Sequence, residues 1–526
     1  MCGFMFSSSD LTEQEFQENF AKICHRGPDD LEIVKDENDN HFGFHRLSIM
    51  DLSDLGNQPF ALNGKRLMCN GEVYNFAALR TFLEAQDYKF TGNSDCEVLL
   101  PLFEVLGMEN MVKSLDAEFA LVLVDENGKI FAARDPFGIR PLFYGFADGK
   151  ISFASEAKAL VKFCNDVKPF PPGFYYADGD FHRYHDVSNV SKIVEAETNE
   201  ICKNIREKFE FAVKKRLHAD APMGFLLSGG LDSSLVCAIA ARELDKPLKT
   251  FAIGMETDPI DLKYAKEVAD FLKTDHTEVM MSKSDVLNSL RDVIYSLETW
   301  DITTIRASIG MFLLAKYIHE NTELKVLMTG EVSDELFGYK YTDFAPNAAE
   351  FQAESAKRVR ELYMYDVLRA DRCLAAHSLE ARVPFADLDF ANFVMSINPQ
   401  RKLNTYDKGK YLLRHAFDGE NLLPESILYR EKAAFSDAVG HSMVDYLIEF
   451  SENQYSDEDL ANAAEKYPSN TPFTKESLLY REIFEEFYGG YDSWIADFWM
   501  PNNAWFDEKI MDPSARVLSN YGESGL

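Results

Sequence analysis

Residues 226–235 read Leu-Leu-Ser-Gly-Gly-Leu-Asp-Ser-Ser-Leu, and no other stretch constrains the fold so tightly. Residues 223–227 form a short apolar run, the length of one buried strand. Residues 235–242 are good helix formers. The string therefore predicts a strand–turn–helix corner. Gly229 and Gly230 permit close backbone approach to a ligand and conformations closed to other residues. The helix start offers free N–H groups beside the Ser228, Ser233 and Ser234 hydroxyls, and such a terminus attracts anions, above all phosphate. Asp232 inside that nest would repel a bare phosphate, and a bridging divalent cation removes the conflict. No lysine follows the glycines, so this is not a Walker A loop.

Short strands and helices alternate from there on. Ile201, Ile205, Phe209, Ala212, Val213 and Leu217 recur at helical spacing ahead of the corner. Residues 249–253 read as a strand and 262–271 as a helix; residues 325–328 read as a strand running into the acidic turn Thr329-Gly330-Glu331-Val332-Ser333-Asp334-Glu335. This alternation predicts an α/β domain with a doubly wound, mostly parallel sheet and ligands at the strands' carboxyl ends. Asp232 and Asp334, one at each strand end, are the candidate ligands of a divalent cation such as Mg2+ carried with a phosphate group.

The first third reads differently. Asp125-Glu126-Asn127-Gly128, Asp148-Gly149 and Asp178-Gly179 each separate two apolar runs, the signature of hairpins. Residues 78–85 and 96–106 read as helices. The expectation is an α+β domain of antiparallel sheets covered by helices. Periodicity and aromatics fade over residues 186–198, so the expected layout is a first domain at 2–186, a linker at 187–199 and a second domain at 200–526. An acidic extension begins at about 446; between His441 and Met500 stand 13 acidic and 3 basic residues.

Composition removes several function classes. A net charge of −33 disfavours nonspecific binding to nucleic acid or to an anionic membrane. No apolar run approaches a membrane span, and no signal peptide is visible. None of the eight cysteines makes a CxxC pair, which speaks against a zinc or redox motif and suits a reducing cytoplasm.

The chain opens Met1-Cys2-Gly3-Phe4, and removal of Met1 would give Cys2 a thiol and a free α-amine on one residue. Residues 25–29, 44–49, 69–75 and 93–97 follow as His-Arg-Gly-Pro-Asp, Phe-His-Arg-Leu-Ser-Ile, Cys-Asn-Gly-Glu-Val-Tyr-Asn and Asn-Ser-Asp-Cys-Glu. These strings, in this order, resemble the class II glutamine amidotransferases, N-terminal-nucleophile domains with an αββα sandwich. The resemblance gives each piece a task. Arg46 would hold the glutamine α-carboxylate, and Asp95 with Glu72 the α-ammonium. Asn70 and the Gly71 N–H would form the oxyanion hole, with Leu47 and Ile49 against the substrate. Read alone, Asn70-Gly71 is a tight turn and Arg46 a surface cation.

The Ser-Gly-Gly-Leu-Asp-Ser-Ser string resembles the PP-loop of ATP pyrophosphatases. Further strings match at residues 298–301, 369–372, 380–385 and 430–437. From Cys2 to about Asp445 the chain resembles the glutamine-hydrolysing asparagine synthetases. That family implies glutamine hydrolysis at Cys2, formation of β-aspartyl-AMP from aspartate and Mg2+-ATP, an internal ammonia tunnel and a homodimer. ATP would lie against Leu226, Ser228, Gly229, Gly230, Leu231, Asp232, Ser233, Ser234, Ile253, Thr329 and Gly330. Glu331 would assist ammonia attack and Lys432 would neutralise pyrophosphate charge; Thr303, Thr304, Arg306 and Arg369 are the candidates for aspartate.

The chain departs from the family in its acidic turn. Thr329 stands where a serine is usual and Val332 where a second glycine is usual, and Phe337-Gly338-Tyr339 is one glycine short. If that second glycine sits at positive φ, Val332 is strained. Two alternatives stay open at this point: a relative that amidates another carboxylate, and a glutamine- or nucleotide-binding regulator without chemistry.

Overall fold

The computed structural model describes residues 1–405, 408–431 and 439–522. Its first half holds two six-stranded antiparallel sheets. One contains β1 (Gly3–Ser7), β2 (Asp30–Lys35), β3 (His41–Arg46), β8 (Phe143–Ala147), β9 (Lys150–Ala154) and β10 (Asn165–Pro169), in the order β10-β8-β9-β1-β3-β2. The other contains β4 (Phe60–Leu62), β5 (Lys65–Val73), β6 (Ala117–Val124), β7 (Ile130–Arg134), β11 (Phe174–Ala177) and β12 (Asp180–Arg183), in the order β12-β11-β7-β6-β5-β4. The three hairpins expected from the turn residues are β6–β7, β8–β9 and β11–β12.

Both faces of the central strands are buried, which explains their near-continuous apolar runs. Phe4 and Phe6 of β1 meet Met68, Ala120 and Val122 between the sheets. Met5 faces the other way, into a layer with Phe16 and Phe20 of the helix Glu13–Phe20. Leu121 and Leu123 of β6 likewise face Leu99, Leu102 and Met111 of the helix Leu99–Ser114. Alternation along each strand thus generates helix, sheet, sheet and helix layers, the expected αββα sandwich.

The second half is built on a five-stranded sheet ordered β15-β14-β13-β16-β17, with every pair parallel. Its strands are β13 (Met223–Leu226), β14 (Lys249–Met255), β15 (Asp275–Met281), β16 (Val326–Met328) and β17 (Glu380–Arg382). Phe225, Ala252 and Met328 face the helices Leu231–Glu243 and Ile260–Leu272. Phe251, Ile253 and Leu327 face the helices Lys283–Leu297 and Ile302–Asn321. The sheet is therefore doubly wound. Successive strands leave β13 in opposite directions, so its carboxyl end is a topological switch point, where such sheets bind ligands.

The acidic region packs on this core. The helix Lys475–Tyr488 sends Tyr480, Phe484 and Tyr488 into the cluster that holds Trp300. The Arg481 guanidinium lies 3.7 Å from the Trp300 ring centre, and Phe484 meets that ring edge-on at 4.6 Å. Glu486 stands exposed on the outer face, whereas Glu476 and Arg481 are buried on the inner face among the apolar and aromatic side chains.

A buried ionic seam joins the two halves. Arg26 binds Glu156 at 2.7 Å and Asp371 at 2.9 Å, and Arg372 binds Glu156 at 2.9 Å and Glu298 at 2.8 Å. Arg382 binds Glu72 at 2.7 Å and Glu380 at 3.1 Å, while Arg216 binds Glu118 at 2.9 Å and Asp387 at 3.0 Å. The matching strings at 369–372 and 380–385 thus supply much of this seam. Loss of one partner of such a pair strands the other charge, at ~3–5 kcal/mol.

Candidate active site

The first candidate centre lies at the mouth of the sandwich. Cys2 precedes β1, and its Sγ faces the backbone of Leu47, 3.4 Å from the amide nitrogen and 3.6 Å from the carbonyl oxygen. With Met1 attached, burial pushes the Cys2 thiol up to about 11. Asn70 and Gly71 lie in β5, paired with β6 in register with Ala120 and Phe119. The reading of Asn70-Gly71 as a turn is thereby excluded. Both polar atoms of the Asn70 side chain are buried without a hydrogen-bond partner among the described residues. A Cβ on Gly71 would lie 2.5 Å from the Glu118 carbonyl oxygen, so the strands approach only with glycine there.

Arg46 ends β3, and the loop behind it aims its guanidinium. Nη1 donates to the Ser53 carbonyl at 2.7 Å and to Asn57 Oδ1 at 2.5 Å, and Nη2 donates to the Asp51 carbonyl. Asp95 accepts from the Val73 N–H at 2.6 Å, and burial raises its carboxyl to about 6. Burial also lifts Glu72 well above the usual carboxylate range, against the pull of Arg382. Leu47 and Ile49 are buried with Ala221 and Val326 of the second half, and the Ile49 carbonyl accepts from the Asp220 and Ala221 N–H groups at 3.1 Å.

The second centre is a cavity of about 220 Å3 at the carboxyl ends of β13, β14 and β16. The predicted corner forms its floor. Gly229 sits at φ +72°, where a Cβ would lie 2.3 Å from the Ala265 nitrogen. Gly230 then caps the helix Leu231–Glu243. Ser228 and Ser233 hydroxyls are 3.1 Å apart, and the Ser234 hydroxyl is buried without a partner among the described residues. Leu226, Leu231 and Ile253 add apolar wall. Gly330 brings the acidic turn against this helix: a Cβ there would lie 2.7 Å from the Ser233 nitrogen. The Thr329 N–H donates to the Arg382 carbonyl at 3.0 Å. One residue, Arg382, therefore touches Glu72 with its side chain and the acidic turn with its backbone.

Asp232 and Asp334 do converge. Lys410 stands between them, with Nζ 2.8 Å from Asp232 Oδ2, 2.6 Å from Asp334 Oδ1 and 3.0 Å from the Ser333 hydroxyl. Two carboxylates gathered on one cation at the phosphate nest fit a Mg2+ site, because Mg2+ takes one or two carboxylates and fills its shell with phosphate and water. Val332 sits at φ +80° and is buried, the strain anticipated for its replacement of glycine.

The aspartate candidates separate. Thr303 lines the cavity with a buried hydroxyl that has no hydrogen-bond partner among the described residues. Thr304 turns away and donates to Oδ2 of Asp301, the N-cap of its own helix, at 2.8 Å. Arg306 lines the cavity, but its guanidinium is held by Glu476, by Asp512 at 2.8 Å and by the Ser514 hydroxyl at 2.7 Å. Arg369 lines the cavity too and pairs with Glu331 and, at 3.1 Å, with Asp366. Lys432 lies outside the described residues. Sequence reasoning passed over Lys410, and over Glu335 with Asp366: burial and then Asp366 hold the Glu335 carboxyl well above its ordinary value. A third carboxylate one residue past Asp334 was the available signal.

A family model described as asparagine synthase matches residues 204–352 and 343–508, and one described as glutamine amidotransferase domain matches residues 1–178. The chain is 41% identical over 565 residues to the asparagine synthetase [glutamine-hydrolyzing] of Cricetulus griseus and, likewise, to that of Homo sapiens; each match spans 99% of both chains. It is also 41% identical over 534 residues to a probable asparagine synthetase of Acanthamoeba polyphaga mimivirus, covering 94% of this chain and 95% of that one. With both domains matched and the whole length shared, the chain belongs to the family of glutamine-hydrolysing asparagine synthetases.

Proposed function

We propose that this chain makes asparagine from aspartate and ATP, with glutamine as nitrogen donor. The observation that carries the reading is the union of two incomplete sites. An Asn70 amide unpartnered among the described residues lies in the strand that bears Glu72, and a phosphate nest with two converging carboxylates lies across the seam. We assign residues 2–186 to glutamine hydrolysis, 187–199 to the linker and 200–526 to synthesis.

In the first reaction, Arg46 binds the glutamine α-carboxylate, and Asp95 with Glu72 binds the α-ammonium. Leu47 and Ile49 border the substrate. Removal of Met1 supplies the Cys2 α-amine, which takes the thiol proton as sulfur attacks the side-chain amide. The Asn70 Nδ2 and Gly71 N–H donate to the oxyanion. Ammonia leaves with that proton, and water cleaves the thioester to glutamate.

In the second, Leu226, Leu231 and Ile253 hold the adenosine, and the segment from Ser228 to Ser234 with Thr329 and Gly330 holds the phosphates. Asp232 and Asp334 would hold Mg2+, which when bound neutralises phosphate charge. Thr303 and Arg369 orient aspartate, and the Glu335–Asp366 pair receives its α-ammonium. The β-carboxylate attacks the α-phosphorus, and pyrophosphate leaves. Glu331 then takes a proton from ammonia as nitrogen displaces AMP from the acyl carbon. Lys432 is assigned to the pyrophosphate from the family resemblance. Arg306 and Thr304 act on aspartate only through the helix they help to fix.

The test is pyrophosphate release from Mg2+-ATP against a panel of carboxylic acids with glutamine as donor. Aspartate-dependent pyrophosphate with matching AMP and asparagine is expected; release with another acid alone would overturn the acceptor. We also propose a cytoplasmic homodimer. Light scattering at the 59.9 kDa of one chain would overturn the dimer.

A further inference from the structure

The cavity has a wall that the catalytic reading leaves unused. Trp499, Pro513, Ser514 and Ala515, all from the acidic C-terminal region, line it together with Thr303 and Arg369. We propose that residues 497–515 form the acceptor-side wall of this cavity and set which carboxylic acid it admits; the inference rests on the functional reading above.

Bonds place the segment on the acceptor side. The Trp499 N–H donates to Asp301 Oδ1 at 2.6 Å, and Asp301 Oδ2 accepts from the Thr304 N–H at 2.8 Å. Asp301 is buried and caps the helix Ile302–Asn321, which carries Thr303 into the cavity. The far end of the segment is tied to the same helix one turn later, where Arg306 Nη1 reaches Asp512 and Ser514. Arg306 is itself fixed by the buried Glu476, so its anchor does not depend on a substrate. The indole is wedged in turn: Arg358 stacks 4.6 Å from its centre, Tyr341 meets it edge-on at 5.6 Å, and Arg358 Nη2 donates to the Met500 carbonyl at 2.5 Å.

A rigid aromatic wall fixed to the helix that presents Thr303 limits the length of an acceptor more sharply than a mobile loop would. Arg306 is on this view a positioning residue, whose charge holds the wall instead of the substrate carboxylate. One methylene in such a pocket is worth ~10- to 200-fold in selectivity.

The experiment uses the full chain with free ammonia as nitrogen donor, following pyrophosphate release with aspartate and with glutamate, its homologue one methylene longer. Trp499→Ala is expected to raise the KM for aspartate and to shift the glutamate-to-aspartate ratio of kcat/KM by ~10-fold or more. The KM for ATP and the rate of glutamine hydrolysis should not move. An unchanged acid ratio, or equal shifts for aspartate and ATP, would overturn the wall while leaving the functional reading intact. Wild-type protein that releases no pyrophosphate with any acid would overturn the functional reading, and the wall with it. If Trp499→Ala fails to fold, hydrogen exchange on the wild-type chain decides. Amides of 497–515 should slow when aspartate is added to chain already holding a non-hydrolysable ATP analogue, and no added protection would overturn the proposal.

Discussion

The two candidate centres are built in opposite ways. Around Cys2 the key side chains sit on or just beside strands of two stacked sheets, and the loop 51–57 aims Arg46 through three carbonyl and amide oxygens. The synthetase cavity is assembled from turns: the Gly229 corner, the acidic turn through Val332, the Lys410 region and the C-terminal wall. A sheet holds its residues through a cooperative hydrogen-bond ladder. A set of turns depends on glycine, on local strain and on charge pairs from remote parts of the chain. The first arrangement should therefore respond to changes in single chemical groups, and the second to changes in how segments meet.

The sharpest test of that contrast is Cys2→Ala. Glutamine-dependent synthesis should fall by at least ~10^4-fold, because a nucleophile has no substitute. Synthesis from free ammonia should persist; its loss in folded protein would mean that the two centres are not chemically separate.

Next comes the seam between them. Arg382→Met strands Glu72 in a buried setting and leaves Glu380 to Arg140 at 3.5 Å, and should destabilise the chain by ~3–5 kcal/mol in urea titration. Glutamine KM should rise with it, since Glu72 loses its partner. A melt unchanged from wild type would show that the seam is not what joins the halves.

A smaller, graded effect is expected with pH. The Asp95 carboxyl, raised by burial to about 6, loses its charge as pH falls through that value. The glutamine α-ammonium then loses an anion, so kcat/KM for glutamine should decline about ten-fold per unit below pH ~6 if the charged form is required. Above that pH the profile should be level as far as this group is concerned. Asp95→Asn should lower activity throughout and remove that step; a step that survives in Asp95→Asn would assign it elsewhere.

The smallest effect is expected at Val332. Removing a buried valine side chain ordinarily costs ~1.5–3 kcal/mol. At φ +80° the residue stores strain of ~1–3 kcal/mol that glycine releases. Val332→Gly should thus lie within ~1 kcal/mol of wild type, whereas Val236→Gly, in the helix behind the corner, should cost ~3 kcal/mol. Equal losses at the two sites would mean that the acidic turn is unstrained.

Much of this was legible before the fold. The hairpin turns named three strand pairs, and the corner at residues 223–243 was readable from apolar length and helix formers. Those are local signals, set within a few residues by glycine conformation and side-chain periodicity. Asn70-Gly71, a turn-forming dipeptide when read without the family resemblance, lies within a strand, where β6 packs on Gly71 at a distance only glycine allows. Arg306 carried the right charge at the right place for an acceptor carboxylate. Its partners Glu476 and Asp512 lie 170 and 206 residues away, beyond any spacing rule.

By itself the sequence determined the chemistry and its order along the chain: a thiol near the start, an amidotransferase set of motifs, then a phosphate nest with carboxylates at strand ends. These are properties of contiguous strings, and side-chain chemistry does not depend on the fold. Tertiary structure alone decided that Lys410 joins Asp232 to Asp334, that Arg382 touches both centres and that Trp499 walls the cavity. Each is a contact between segments far apart in sequence. Such contacts are fixed by the packing of sheets and helices around a shared core, which no local pattern records.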